Sequence, residues 1–355
     1  MDRIRIGFIG LGGICRQRHI PGLQRIPGIE FRAVANSSRA SAEKAAAEFN
    51  IPKTYDHWLD LVQADDIDMV LIGAWPILHR DASVAALKAG KHVFCQARMA
   101  RTGREAREML AAAQAAPGLV SGLCPVPFGL SYDRTVARLL KEEALGKIRQ
   151  VNVCSLAPLW NDPATPINWR KDHRLSGLNM QTLGMYIEVV HRWFGQTTQV
   201  SAESFLYTSV RKDAQGTDFE VKIPDQITAN TVVDKDISVH YLISGVSAVA
   251  RESIDVYGEK GALHYDVTGD KLYFCTEEKR EPVVPLAEEY YDLNNWRVEE
   301  DFIAAIRTGC AYRPDFEEGL RYMQVLEAVY ASSEKGCRIS LEPSSGLINK
   351  ECFHG

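Results

Sequence analysis

The sequence has no long apolar run and no closely spaced pair of cysteines. No stretch approaches the roughly 20 apolar residues that a membrane span needs. Residues 1–5 lead straight into a strand-like run, without the apolar segment and cleavage site of a signal peptide. The eight cysteines include no C-x-x-C pair, which disfavours a zinc site or a disulfide framework. We therefore expect a cytoplasmic protein with reduced thiols, no metal site and no membrane partner.

The chain also lacks an excess of positive charge. Lys and Arg total 41 against 46 for Asp and Glu, which gives a formal net charge of −5. This balance argues against a protein that coats nucleic acid. Hydrophobic residues make up 46% of the 355, a typical share for a globular chain. At roughly 150 residues per domain, the length predicts two domains.

Strand-like and helical patterns alternate through the first third of the chain. Apolar runs predict strands and the stretches between them predict helices. Because these strands are apolar throughout, we expect both faces of a parallel sheet to be covered by helices. The pattern predicts a doubly wound α/β domain over residues 1–124, with strands at 4–9, 31–35, 69–72, 92–95 and 119–123, and helices through about residue 24 and at 41–49, 81–88 and 104–114.

The alternation of predicted strands and helices ends after residue 124. Longer β-like runs follow one another without helices between them, which indicates an open, mostly antiparallel sheet. Residues 125–355 are therefore predicted to form a second α/β domain, with helices over one face of that sheet. The predicted strands begin at 148 and lie at 200–208, 226–233, 237–244, 247–257 and 262–267, and the helices lie near 132–140, 180–194, 296–308 and 317–335.

A glycine-rich segment, GLGGIC at residues 10–15, directly follows the first predicted strand. In a dinucleotide site one glycine makes the tight turn, another lets the backbone approach the pyrophosphate, and the helix behind them offers free N–H groups. We assign these roles to Gly10, Gly12, Gly13 and Ile14, which gives the Rossmann arrangement. The alternative is a tight βα turn that binds no ligand.

The end of the second predicted strand is where an NAD site usually carries an acidic residue. Here the sequence has Asn36, Ser37 and, two residues on, Arg39. A neutral Asn36 does not repel a 2′-phosphate and Arg39 attracts one, so the cofactor is NAD or NADP with a lean toward NADP. Alternatively, Arg39 is a solvated cation in the first turn of a helix.

Several segments together resemble the glucose–fructose oxidoreductase, inositol dehydrogenase and rhizopine-catabolism (Gfo/Idh/MocA) family. The resemblance implies a Rossmann domain followed by an α/β domain, oxidation or reduction of sugars and cyclitols with NAD(P), and a homodimer or homotetramer formed through the second sheet. It rests on the glycine-rich segment, ALKAGKHV at 86–93, WRKD at 169–172 with SG at 176–177, YGEKGAL at 257–263, and matching positions across 319–328.

The sequence departs from the family pattern at the catalytic positions. Many members have Glu-Lys-Pro after the fourth strand, where this chain has Gln96, Ala97 and Arg98. Alanine carries no proton, so the usual lysine is missing. Arg98 keeps a positive charge beside the cofactor, although a guanidinium is a poor acid or base. We predict that Gln96 contacts the cofactor and that Arg98 is part of the catalytic site.

The family's Asp-x-Gly-x-His helix begins here with Thr182 and has Tyr186 at the histidine position. Residues four apart share one helical face, so both address one pocket. Tyr186 resembles the tyrosine of dihydrodiol and xylose dehydrogenases, which serves as a general acid or base. A phenol needs a nearby cation to act as a base near neutral pH, and Arg98 is the candidate. The alternative is a packed aromatic residue.

Further site residues are expected at two other places. Ala74, Trp75, Pro76 and His79 follow the third strand of the predicted sheet, where the nicotinamide half of the cofactor should lie. His79 is alternatively a cap of the next helix. His191 and the acidic run at 299–301 are interpreted as a structural residue and a solvated helix start.

The WRKDH segment at 169–173 precedes the Tyr186 helix. We expect Trp169 or Trp75 to stack on a sugar ring, and Arg170, Asp172 and His173 to bind hydroxyls or a carboxylate. Thr182 is predicted to belong to the same substrate site. His173 is either a catalytic substitute for the missing histidine or an exposed loop residue.

Three functions fit this sequence. The first is an NAD(P)-dependent dehydrogenase or reductase acting on a sugar, cyclitol or sugar-derived acid. The second keeps the cofactor bound and oxidises the substrate only transiently, for elimination, epimerisation or glycoside cleavage. The third is a regulatory protein that senses nucleotide without chemistry.

Overall fold

The first sheet of the computed structural model is parallel throughout. The model describes residues 3–125, 130–289 and 297–342. The strand order is β3-β2-β1-β4-β5-β6. From β1 to β3 successive strands are added toward one edge of the sheet, and from β4 to β6 toward the other, so the order of addition reverses between β1 and β4. Ligands bind at such a switch point, beyond the carboxyl ends of the strands. The strands are β1 (Ile4–Ile9), β2 (Ile29–Ala35), β3 (Lys53–Thr54), β4 (Met69–Ile72), β5 (His92–Cys95) and β6 (Ser121–Leu123).

Helices cover both faces of this sheet. The helix after β1 contains a π-helical turn, Cys15–His19, before α1 (Ile20–Gln24). The side chains of Ser38 and Thr102 cap two of the later helices. These later helices are α2 (Arg39–Phe49), α3 (Trp58–Gln63), α4 (Pro76–Lys88) and α5 (Gly103–Gln114).

The second sheet is mixed and mostly antiparallel. Its order is β16-β15-β14-β13-β7-β12-β11-β8-β17, and only β7 and β12 pair in parallel. Two short strands, β9 (Val210–Lys212) and β10 (Asp218–Glu220), form a separate hairpin. The nine strands are β7 (Ile148–Leu156), β8 (Thr197–Phe205), β11 (Gln226–Val233), β12 (Ile237–Ser244), β13 (Arg251–Gly258), β14 (Ala262–Asp266), β15 (Lys271–Cys275), β16 (Arg280–Pro282) and β17 (Ile339–Ser340).

Two helices of the second half lie against the inner face of this sheet and reach toward the first domain. They are α8 (Leu183–Phe194) and α10 (Phe316–Lys335). α10 begins with a capping box at Asp315 and ends at Gly336, which has a left-handed backbone. The remaining helices are α6 (Asp133–Lys141), α7 (His173–Ser176) and α9 (Val298–Thr308).

The second half also completes the core of the first domain. The ring of Phe302 in α9 packs edge-to-face on Phe94 of β5, with centroids 5.0 Å apart. The Leu123 N–H donates a 2.9 Å hydrogen bond to the Pro314 carbonyl. The two regions therefore share buried surface, and the boundary between residues 124 and 125 stays a prediction.

The predicted architecture, a doubly wound parallel sheet followed by a large open sheet, is confirmed. The predicted start of α4 at residue 81 is wrong, because the helix begins at Pro76, where a missing N–H costs nothing. Among the described residues no helix is long and apolar enough to cross a membrane, and no acidic, His or Cys cluster could hold a metal. Seven of the cysteines lie in the described part of the chain, all as free thiols; Cys310 and Cys337 are exposed rather than buried.

Candidate active site

The glycine turn after β1 is held in a fixed conformation. Gly10 has a φ of +78°, and a Cβ added there would lie 2.6 Å from the backbone of Ala74. Both facts require glycine. The Asn36 side-chain oxygen accepts a 2.8 Å hydrogen bond from the Leu11 N–H, and its amide donates to the Ser41 carbonyl. Asn36 therefore braces the turn from the end of β2.

The outer side of the same turn is open. A Cβ on Gly13 would have no atom within 4 Å, and one on Gly12 would approach only the Gly10 carbonyl, at 3.9 Å. The helix begins at Gly13, so its N-terminal end is directed at this free space. A pyrophosphate fits such a cradle, because it takes up backbone N–H groups and needs the absence of side chains. Ile14 lies in the first helical turn.

The predicted ribose-binding residues are at the end of β2. Ser37 is exposed. The Arg39 guanidinium is also exposed and bonds to two carboxylates, with its Nε 2.8 Å from Glu43 and its Nη1 3.0 Å from Asp56. Since exposed ion pairs are weak, this pairing leaves Arg39 free to change partners.

His79 is buried behind the end of β4 rather than in the open cleft. Its Nε2 lies 2.9 Å from the Ala74 carbonyl and its Nδ1 2.9 Å from the Arg98 carbonyl. Burial lowers the pKa of His79 and favours the neutral ring. The alternative of a helix cap is wrong, because Trp75 occupies the N-cap of α4 and Pro76 its first turn. His79 ties the β4 end to the loop after β5.

Gln96 belongs to a buried polar network below the glycine turn. Its side-chain nitrogen contacts the His19 ring, whose other nitrogen contacts Glu299. The Gln96 N–H donates to the Ile72 carbonyl at 2.9 Å. Glu299 is only 3% exposed, so the interpretation of 299–301 as a solvated helix start is wrong for this residue. The contact with His19 offsets the cost of burying the Glu299 carboxylate.

Arg98 is 7% exposed and has no carboxylate partner among the described residues. Its Nε is buried without a hydrogen bond. The Cδ atom lies against the first turn of α8, where a Cβ on Gly184 would come within 2.9 Å. Burial lowers the pKa of Arg98 to about 10, so the group stays charged at neutral pH.

Two tryptophans face each other across the two domains. The Trp75 ring, 48% exposed, stacks on Trp169 with centroids 6.5 Å apart and planes 17° apart. The guanidinium of Arg170 lies over the Trp169 ring, 4.3 Å from its centroid. Aromatic and cationic side chains of this kind suit the face of a sugar ring and an acidic substituent.

The next two predicted residues lie beside the cleft. Asp172 caps α7 and holds Arg174, with an Oδ2–Nη2 distance of 2.6 Å, so its carboxylate is already paired. The Arg174 side chain lowers the pKa of Asp172. The ring of His173 packs near Phe219 of the hairpin, with centroids 6.2 Å apart. His173 is half-buried, so the exposed-loop alternative does not describe it.

Thr182 is linked through Ser155 to Glu252, and the charge of the same Glu252 acts on Tyr186. The Thr182 hydroxyl donates a 2.8 Å hydrogen bond to Ser155 of β7, whose hydroxyl donates at 2.8 Å to Glu252 of β13. Tyr186 is 1% exposed. Its burial raises the pKa of the phenol, and the negative charge of Glu252 is the next largest cause of this rise. The expected lowering by Arg98 is wrong: the charge that acts on this phenol is a carboxylate.

Sequence reasoning missed Ser155 and Glu252. They pair across β7 and β13, nearly 100 residues apart in the chain. Glu252 shares the inward phase of β13 with Ile254 and Val256, both buried. An acidic residue in the inward phase of a strand was the available signal.

The comparisons with known proteins cover both domains. Residues 4–122 match the family model described as oxidoreductase family, NAD-binding Rossmann fold, and residues 137–341 match that family's C-terminal alpha/beta domain. The chain belongs to the Gfo/Idh/MocA oxidoreductase family. The predicted family and its NAD-binding Rossmann fold are confirmed, and so is the predicted class of NAD(P)-dependent oxidoreductase.

Individual relatives are distant over the full length. The chain is 22% identical to levoglucosan dehydrogenase of Pseudarthrobacter phenanthrenivorans, over 94% of this chain and 97% of that protein. It is 33% identical to inositol 2-dehydrogenase of Serratia proteamaculans, over 41% and 42%. A solved levoglucosan dehydrogenase in complex with NADH and L-sorbose has a TM-score of 0.84 at 20% identity, covering 96% of this chain and 99% of that one. These relatives do not favour the transient-oxidation or regulatory alternatives.

Proposed function

We propose that this protein transfers hydride between NAD(P) and a hydroxyl-bearing carbon of a sugar, cyclitol or sugar-derived acid. The observation that carries the proposal is the cleft itself. An open glycine turn and Trp75 of the first domain lie on one side, and Trp169 of the second domain meets Trp75 on the other. The similarity to levoglucosan and inositol dehydrogenases supports this substrate class.

The first domain would hold the cofactor through its backbone. Gly12 and Gly13 leave room for the pyrophosphate, and Ser37 and Arg39, both exposed after β2, would contact the adenosine ribose. When bound, NAD(P) supplies the hydride acceptor for alcohol oxidation. Arg39 supports use of NADP, provided that it exchanges Asp56 for a 2′-phosphate. Trp75 would border the nicotinamide half.

The second domain would supply the groups that transfer the substrate's hydroxyl proton. We assign Tyr186 as the group that takes the hydroxyl proton of the substrate while its own proton passes to Glu252. This relay is needed because the raised pKa of Tyr186 keeps the phenol neutral, so a free tyrosinate is not the base. Ser155 and Thr182 hold Glu252 in place through their hydrogen bonds. In the reductive direction the two protons move back.

Two residues act less directly in this proposal. His79 positions the loop that carries Ala97 and Arg98, through its contacts with the carbonyls of Arg98 and Met99. His173, the first residue of α7, would contribute to substrate binding from beside the Asp172 cap. Asp172 supports His173 by capping the first turn of α7.

The proposal includes a homodimer or homotetramer, as the family resemblance implies, and a cytoplasmic location, as the sequence implies.

A cofactor-reduction assay tests the proposed function. The protein is incubated with NAD or NADP and a panel of sugars, cyclitols and sugar acids, and nicotinamide absorbance is followed. We expect reduction with at least one compound, and a loss of about 10²–10⁴-fold in kcat for Tyr186→Phe. No reduction across the panel, with cofactor binding shown by calorimetry, would overturn the proposal.

A further inference from the structure

Arg98 is a buried cation whose counterion is missing. Charged side chains are almost never buried unless they are paired, because the desolvation of a lone charge costs several kcal/mol. Arg98 is 7% exposed, its Nε has no hydrogen-bond partner, and no carboxylate of the described residues pairs with it. By contrast, the other arginine on the same loop, Arg101, is held by Glu105.

A second guanidinium without a carboxylate lies nearby. It belongs to Arg170, whose neighbour Trp169 stacks on Trp75 at the N-cap of α4, the helix whose His79 contacts the Arg98 carbonyl, and the positive charge of Arg170 lowers the pKa of Arg98. Among the described residues Arg170 forms no ion pair. It rests instead on the Trp169 ring. The other titratable groups that act on Arg98 are the phenols of Tyr322 and Tyr330, which carry no charge at neutral pH.

The backbone around Arg98 is fixed from two sides. The Arg98 carbonyl contacts His79 of α4 at 2.9 Å, and the following N–H, of Met99, donates to the Tyr322 hydroxyl of α10. The side chain passes Gly184 in the first turn of α8, the end of a helix that favours negative charge. Such rigid support is what a preorganised binding residue requires.

We propose that Arg98 and Arg170 together bind an anionic oxygen group of the substrate, either a carboxylate or a phosphate ester, so that the enzyme acts on polyhydroxylated acids in preference to neutral sugars. This inference rests on the proposed function. A guanidinium presents two parallel N–H groups to a carboxylate or phosphate, which supplies both charge and orientation. The Trp75 and Trp169 rings then lie beside the hydroxylated carbon chain.

The first test compares matched substrates. Glucose, gluconate, glucuronate and glucose 6-phosphate are offered to the wild-type protein with NAD or NADP. We expect kcat/KM for one acid to exceed that for glucose by about 100-fold. A preference for the sugar acids identifies a carboxylate as the bound group, and a preference for the phosphate ester identifies phosphate. Equal or better use of glucose would overturn the inference while leaving the proposed function intact.

Variants of Arg98 provide the second test. Arg98→Met should lower kcat/KM for the acid about 100-fold more than kcat/KM for a neutral sugar, and Arg98→Lys should recover part of that difference. Arg104→Met is the matched control, because the Arg104 side chain is exposed on α5 and lies 4.0 Å from Glu108. An equal loss on charged and neutral substrates in Arg98→Met would contradict the proposal.

Stability and direct binding separate this role from a structural one. Without ligand, Arg98→Met should keep or raise the melting temperature, because an uncompensated buried charge is removed. Calorimetry on the cofactor-loaded protein should show gluconate or glucose 6-phosphate binding to the wild type and not to the variant. A fall of several degrees in melting temperature with anion binding retained would mean a packing role. Because binding is measured directly, this test holds even if no compound is oxidised.

Discussion

The indole of Trp75, at the N-cap of α4, stacks on Trp169 of the second domain at a centroid distance of 6.5 Å. This is the clearest contact between the two walls of the cleft. Because nicotinamide or a sugar ring placed there alters the surroundings of both indoles, tryptophan emission should change when cofactor or substrate binds. The change should be reduced in Trp169→Phe, which leaves only the Trp75 indole of the pair, and kept in full in Trp58→Phe, where the tryptophan lies on α3. A ligand-induced change in emission as large in Trp169→Phe as in the wild type would place the ligand elsewhere.

The open face of the glycine turn gives a second prediction. Gly13→Ala adds a methyl group that meets no protein atom, so folding stability should change little, while the Kd for NAD(P)H should rise at least about tenfold. Gly118→Ala is a matched control, since its Cβ also meets nothing within 4 Å. Thermal melting and cofactor calorimetry on both variants measure the two effects. Equal affinity in Gly13→Ala and the wild type would argue against a pyrophosphate at this turn.

The Tyr186–Glu252 relay gives a third prediction. Glu252→Gln keeps the size of the side chain and removes the proton acceptor, so kcat for alcohol oxidation should fall about 10²-fold or more. Glu203→Gln, an exposed site on β8 of the same sheet, should leave kcat unchanged. Normal turnover in Glu252→Gln would remove Glu252 from the mechanism.

The raised pKa of Tyr186 has its own spectroscopic consequence. A phenol with an unshifted pKa of 10.0 would be half ionised at pH 10, whereas Tyr186 should remain protonated there. Tyrosinate absorbance of the wild type and of Tyr186→Phe should therefore rise identically up to pH 10. A larger rise in the wild type would show that the phenol ionises and can act alone as a base.

His191 links stability to acidity. Burial lowers its pKa to about 3, and its Nε2 accepts a hydrogen bond from the Thr197 N–H. In the unfolded chain the ring takes up a proton below about pH 6.5, whereas in the folded chain it stays neutral down to about pH 3. The contribution of the neutral ring to the free energy of unfolding is therefore complete above pH 6.5 and is lost as the pH falls toward 3. His191→Gln should reduce the pH slope of the unfolding free energy by up to about 1.4 kcal/mol per pH unit between 3 and 6.5. Thr197→Val, which keeps the imidazole, should retain the slope; equal slopes in His191→Gln and wild type would contradict the assignment.

Much of the fold was predictable because its central strands are continuous apolar runs. β1, β4, β5, β11 and β12 begin and end at the predicted residues. The edge strand β16 and its neighbour β15 were missed, since strands at and next to an edge tolerate polar residues and lose the pattern that identifies a strand.

The site was predictable only in part. The glycine turn and the shared face of Thr182 and Tyr186 depend on neighbours in the chain, which a sequence shows directly. The acidic partner of Tyr186 depends on the register between β7 and β13, and the lack of a counterion at Arg98 depends on residues from α8 and α10. These long-range relationships have no local signature in the sequence.

Isotope transfer tests hydride movement most directly. A polyhydroxylated acid or sugar that supports turnover is prepared with deuterium at the reacting carbon and incubated with NAD(P) and the wild-type protein. We expect one deuterium on the nicotinamide ring for each substrate oxidised, and almost none with Tyr186→Phe over the same time. Turnover that leaves the nicotinamide free of deuterium would contradict this expectation.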